Sequence, residues 1–308
     1  MVKIYVPRRI IERNRWLRSD GKPNFKDRIC AKPPELEAVA DREVPLLSMQ
    51  ATVINACEVM SSSGARLIPI TDPERRLLGV ITGMDIVDYF GGGIKYAVVL
   101  KHYEGRLYPA LSAPLREIAN TKPLAVDVKS KLHDLLNLMV SYGVGALPVV
   151  NNDVVIGVIT EGSLIKYLSS KVVGVKVSEV MSSSVISLSH SNTLGIAMKL
   201  MVNLGIRRLP ITKDGDVIGL ITWKDIIDLF GKHKVFSMLR EFTFDEIHSL
   251  PVTEVMNTRI GTVGPDEDIG AAAAKMSELG VDSLLVTKDG NIIGIITERD
   301  ILYGIVAR

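Results

Sequence analysis

One glycine, two aliphatic residues and a threonine recur four times in the 308-residue chain, and a fixed repeat constrains architecture more firmly than local propensity does. The copies are Gly79-Val80-Ile81-Thr82, Gly157-Val158-Ile159-Thr160, Gly219-Leu220-Ile221-Thr222 and Gly294-Ile295-Ile296-Thr297. Three continue with an aspartate three residues on (Asp85, Asp225, Asp300), and the second has Ser163 there. Upstream of each threonine lies an apolar stripe at i, i+3, i+4 and i+7, the spacing that turns one helix face to a core. The stripes are Val53/Ala56/Cys57/Met60, Leu132/Leu135/Leu136/Met139, Leu194/Ala197/Met198/Met201 and Ile269/Ala272/Ala273/Met276. From the last stripe residue to the threonine is 21 positions in copies two to four and 22 in copy one, whose extra residue falls in the turn Asp72-Pro73-Glu74-Arg75-Arg76.

Two short aliphatic runs split by a turn separate stripe from threonine, as in Leu209–Thr212, Lys213-Asp214-Gly215-Asp216 and Val217–Thr222. An Asp-Gly turn between such runs signals a hairpin. Lys224–Phe230 and its counterparts read as a following helix, so each unit is strand, helix, strand, strand, helix, an α/β (α+β) fold class. Threonine spacings of 78, 62 and 75 group the units as one-two and three-four, and the 140 and 137 residues between alternate copies mark a duplicated two-unit module. The expected organisation is a basic extension over 1–40, a first pair over 41–168 (units 41–90 and 115–168) and a second over 169–308 (units 175–230 and 250–308). The stretches from Gly91-Gly92-Gly93 to Pro114 and from Gly231 to Leu250 read as linkers, the triple glycine as a flexible start.

The repeats and their Gly-aliphatic-aliphatic-Thr-x-x-Asp signature resemble the cystathionine-β-synthase (CBS) domain family, from about residue 41 to the C-terminus. Four units in two pairs, without the second aspartate, are similar to archaeal tandem-CBS proteins and the gamma subunit of AMP-activated protein kinase. The resemblance implies a regulator, not an enzyme, that binds AMP, ADP or ATP, ahead of S-adenosylmethionine, in clefts between units and signals energy state to a partner. It implies that Asp85, Asp225 and Asp300 accept hydrogen bonds from ribose hydroxyls, as acidic residues do in dinucleotide sites. Thr82, Thr160, Thr222 and Thr297 would sit at strand-to-helix turns, where backbone amides favour phosphate. Arg66, Arg207 and Arg208 would meet the phosphates, which an arginine fork binds through two parallel bonds. Copies two and four carry Gly145-Ala146 and Asp282-Ser283 there; neither is basic, and Asp282 would repel phosphate, so fewer working sites than clefts, or a ligand with fewer charges, is expected.

Ordinary structural readings stand beside these. A threonine N-cap with an acid at N3 is also a capping box. Met60, Met139, Met201, Met276 and Cys57 read as core. His102, His133, His190, His233 and His248 lack metal-ligand spacing, Cys30 and Cys57 form no paired motif, and no catalytic signature occurs, so neither a metal site nor an enzyme is expected. No apolar run approaches the roughly 18 residues of a membrane span, which places the expected chain in the cytoplasm without membrane contact.

The net charge of +2 hides an asymmetry: residues 1–32 hold ten Lys/Arg against three Asp/Glu, while the remainder holds 27 against 32. Arg8, Arg9, Arg13, Arg15 and Arg18 around Ile10, Ile11 and Leu17 read as a basic amphipathic helix with Trp16 interleaved. That pattern suits RNA or ribosome contact, with the repeats as platform. It equally suits an arm packed on the acidic body. A second copy of the chain or a regulated protein is the remaining partner expected.

Overall fold

The computed structural model describes Leu17 and residues 36–168 and 173–306. Arg8, Arg9, Arg13, Arg15, Trp16 and Arg18 lie outside the described residues, and so does the basic helix read over them.

Each stripe forms an 11-residue helix, Val53–Ser63, Leu132–Tyr142, Leu194–Leu204 and Ile269–Leu279. Every stripe residue is buried, Cys57 and the five methionines included. Antiparallel hairpins follow: Leu67–Thr71 with Leu77–Thr82, Ala146–Asn151 with Val154–Thr160, Arg208–Lys213 with Asp216–Thr222, and Ser283–Lys288 with Asn291–Thr297. At the third turn Asp214 and Gly215 both have positive φ, 52° and 94°, the geometry a tight hairpin of this hand requires. The exit helices are Gly83–Val87, Glu161–Leu168, Trp223–Gly231 and Glu298–Val306. A two-residue parallel strand leads repeats two to four (Val126–Asp127, Leu188–Ser189, Thr262–Val263). In the first repeat the expected leading strand shrinks to the single parallel bridge Leu47–Ile70.

Repeats pair by exchanging segments. Asn120, at the entry to repeat two, makes two backbone hydrogen bonds with Val80 of repeat one, both 3.0 Å, while Asp41, before repeat one, makes two with Val158 of repeat two, both 2.9 Å. Ser182 does the same with Ile295, and Asn257 with Leu220. The signature glycine stands beside each crossing, where a side chain has no room: a Cβ on Gly79 would lie 2.8 Å from the Asn120 carbonyl oxygen and one on Gly157 2.5 Å from that of Asp41. Leu67, Val80, Ala146 and Val158 form a small core between the first two hairpins.

The helices instead join the two pairs. One large core holds repeats one and three, the other repeats two and four. Phe90 stacks on Phe230 with centroids 4.0 Å apart, and Ser61 donates to Asp228 at 2.8 Å. The expected flexible linker at Gly91-Gly92-Gly93 is corrected here, because Asp88–Gly92 is a wide helical turn with Gly91 and Gly92 buried. Gly91 adopts φ +124°, and a Cβ there would meet His248 Nε2 at 2.0 Å, a ring that bonds the Phe90 carbonyl at 2.8 Å. The stretch to Pro114 then continues through helices Tyr96–Tyr103 and Leu107–Leu111.

Candidate functional site

Four equivalent backbone hydrogen bonds bring the chemistry-bearing residues together. The N–H that follows each signature threonine donates to the carbonyl just before the hairpin: Gly83 to Arg66 (3.2 Å), Glu161 to Gly145 (3.0 Å), Trp223 to Arg207 (3.0 Å) and Glu298 to Asp282 (3.1 Å). These two positions face the middle of the molecule, where the pairs meet. Gly83 leaves space for Trp223, whose ring would lie 2.0 Å from a Cβ there. Gly145, which stands where repeats one and three have arginine, leaves space for the Glu161 carboxylate, 2.6 Å from a Cβ at that glycine.

A charge cluster fills the centre. Glu161, its side chain 1% exposed, accepts from Arg299 (2.6 Å), Arg207 (3.1 Å) and Arg66 (3.5 Å), so one carboxylate of repeat two holds guanidiniums from the other three repeats. Arg66 also donates to Glu298 at 2.5 Å, and Arg208 to Asp282 at 2.6 Å. Burial pushes the Glu161 carboxyl up, but Arg299, Arg207 and Arg66 outweigh it and bring it down to about 2. Burial and the neighbouring guanidiniums lower Arg207 to about 10 against the pull of Glu161. Burial raises Glu298 even beside Arg66. Asp282, which was expected to repel phosphate, is held below the usual carboxylate range against the effect of its burial, chiefly by its contact with Arg208. Four guanidiniums thus face three carboxylates, a cluster close to neutral in which any entering phosphate must exchange with a carboxylate.

A cavity of about 390 Å³ opens onto this cluster from both pairs. It is lined by Thr82 and Asp85 of repeat one and Thr297 and Asp300 of repeat four. Leu124, Val144, Leu147, Val185, Ile186, Ile206 and Pro210 supply apolar wall. Arg66, Arg207, Arg208 and Arg299 line it too. Of the site residues expected from sequence, seven therefore share one cavity, while Thr160, Thr222 and Asp225 are not on its wall.

The capping reading of Thr-x-x-Asp also holds. Thr82 Oγ1 donates to Asp85 Oδ2 at 2.5 Å and accepts from the Asp85 N–H at 3.2 Å, and repeats three and four repeat this at Thr222/Asp225 and Thr297/Asp300. In repeat two, Ser163 Oγ accepts from the Thr160 N–H and the Ser163 N–H donates to Thr160 Oγ1, both at 3.0 Å, so the cap survives without a carboxylate. Since capping occupies one aspartate oxygen, Oδ2, a ligand's hydroxyls would have to address the other. Burial raises the Asp225 carboxyl although two bonds from Thr222 lower it.

Three central residues escaped the sequence reading: Glu161, Glu298 and Arg299. Their signal was the charge immediately after the threonine in Thr160-Glu161 and Thr297-Glu298-Arg299, against Gly83 and Trp223 in the other copies. Among the described residues no group of three or more His, Cys, Asp or Glu is placed to hold a metal ion, and no helix is long and apolar enough to cross a membrane.

The CBS domain profile matches residues 36–92, 115–170, 177–232 and 244–307. A Thermofilum pendens protein described as an uncharacterized 33.4 kDa protein in ribosomal RNA operon is 33% identical, over 81% of this chain and 84% of its own. Protein MJ1225 of Methanocaldococcus jannaschii is 27% identical, and its crystal structure, described as that of a candidate archaeal homologue of g-AMPK, superposes with a TM-score of 0.82 over 87% of this chain and 99% of that one. An uncharacterized conserved protein of Pyrococcus horikoshii, 18% identical, shares the fold at a TM-score of 0.56 over 89% of this chain and all of its own. With its signature, its exchanged pairs and these matches, the chain belongs to the CBS-domain family and carries four copies of the domain.

Proposed function

We propose that the chain is a non-catalytic cytoplasmic regulator that binds adenine nucleotides in the clefts between its repeats and passes the cell's adenylate state to a partner. One observation carries the reading: two Thr-x-x-Asp sets, from repeats one and four, open into a single cavity that four arginines from three repeats also line. In each cleft the apolar wall suits an adenine ring, the aspartate oxygen outside the cap suits a ribose hydroxyl, and the arginines suit phosphate. The likeness to a candidate g-AMPK homologue adds to it. Regulation requires only that the ligand prefer one arrangement of the two pairs. A thermal-shift series of nucleotide-free protein with adenosine, AMP, ADP, ATP and S-adenosylmethionine tests this. Ligand at one hundred times its dissociation constant adds about 2.7 kcal/mol per site, a shift of several degrees. No shift with any of them would leave the repeats as scaffold.

RNA or ribosome contact through residues 1–32 is the second reading. It rests on ten basic against three acidic residues there, and on the Thermofilum relative being named for a ribosomal RNA operon.

A further inference from the structure

The Gly91-Gly92-Gly93-Ile94-Lys95 segment sends a side chain into the first cleft. Asp88 sets its course: the Asp88 backbone carbonyl accepts from the Gly93 N–H at 3.3 Å, and Asp88 Oδ1 accepts from the Lys95 N–H at 2.6 Å. Glycine is needed beside it, since a Cβ on Gly93 would lie 3.0 Å from Asp88 Oδ1 and 2.7 Å from Val202 Cγ1. Anchored this way, Lys95 reaches back to Asp85, where Nζ donates to Oδ1 at 2.5 Å and to the Ile118 carbonyl at 2.5 Å. Asp85 Oδ2 is already taken by the Thr82 N–H at 2.9 Å and by Thr82 Oγ1. Both oxygens of Asp85 are therefore engaged, and the one that capping leaves available is held by an ammonium. In the third repeat the residue ten positions beyond Asp225 is the buried Val235 rather than a lysine.

We propose that Lys95 is a displaceable internal counter-ion that occupies the ribose-facing oxygen of Asp85 and makes this cleft take its ligand only by expelling the ammonium. The proposal rests on the ribose role given to Asp85 above. The 88–95 turn also lies against Val202 and His248 of the second pair, so release of Lys95 is felt where the pairs meet.

Calorimetric titration of the nucleotide-free full chain with adenosine, which leaves the arginines out, tests this in wild type, Lys95→Met, Lys95→Gln and Asp85→Ala. The class of sites lost in Asp85→Ala identifies the cleft. Lys95→Met and Lys95→Gln should tighten that class, or bring it into range, by about five-fold, the scale of one partly screened ion pair, with other classes unmoved. The two replacements differ in polarity, so failure of one to fold leaves the other decisive. Adenosine binding in which the Asp85 class is unmoved or weakened in the folded variants overturns the role of Lys95 alone. Neither adenosine nor AMP binding to wild type or variants overturns the nucleotide reading itself, and the proposal with it.

Discussion

Replacing Glu161 with glutamine removes one charge from a site that three arginines share, and its cost follows from the geometry. The carboxyl is held at about 2 against an ordinary 4.5. At roughly 1.4 kcal/mol per pH unit, the folded state favours the charged form by on the order of 3 kcal/mol. That agrees in scale with the roughly 3–5 kcal/mol lost when one partner of a buried ion pair is removed. Because the folded value is depressed, this stability is complete above the unfolded value near 4.5 and is lost as pH falls towards about 2. Urea unfolding at a series of pH values should find Glu161→Gln on the order of 3 kcal/mol weaker than wild type at neutral pH, about 6 °C in Tm. The gap should close as pH drops from about 5 towards about 2. The same variant leaves Arg66, Arg207 and Arg299 short of a counter-charge, so AMP should bind it more tightly and restore much of the lost stability. Equal stability at neutral pH, a gap that persists in acid, or weaker AMP binding would refute the reasoning.

Three further outcomes are expected. Gly83→Ala drives a methyl into the Trp223 ring, at 2.0 Å, and should lower Tm by several degrees, with Trp223→Leu in the same chain recovering most of it. Arg208→Ala, which also strands Asp282, should weaken AMP more than adenosine in parallel titrations; equal losses would remove Arg208 from the phosphate role. Deletion of residues 1–32 should abolish RNA binding and its salt dependence while nucleotide binding survives, and RNA binding that persists would count against the arm.

Much of this organisation was legible because it repeats. Hairpins and threonine caps depend on contacts within one unit and each stripe marks its own helix by spacing alone, so periodicity and turn chemistry suffice to read them, and the 78-62-75 rhythm discloses the pairing. The signature glycine was visible as a pattern but not as a cause, since what crowds Gly79 is the Asn120 carbonyl of the neighbouring unit. Gly91-Gly92-Gly93 read as a flexible start for the same reason: only His248, Val202 and Asp88 around it show a close approach rather than freedom. The central cluster lay furthest from view. Glu161 meets Arg66, Arg207 and Arg299 across separations of 95, 46 and 138 residues: the first contact joins two repeats of one pair, and the other two exist only once the two pairs face each other. Aligning the four copies on their threonines shows two glutamates, a glycine and a tryptophan at one position. That contrast is the sequence trace of the cluster.

The central claim is that adenosine ligands occupy the cavity walled by Asp85 and Asp300. Calorimetric titration of AMP into wild type and into the double variant Asp85→Ala/Asp300→Ala, both nucleotide-free and shown to be folded, tests it most directly. The account predicts that the double variant loses the sites wild type displays in this cavity, leaving at most the site that depends on Asp225. Unchanged stoichiometry and affinity in the double variant would contradict it.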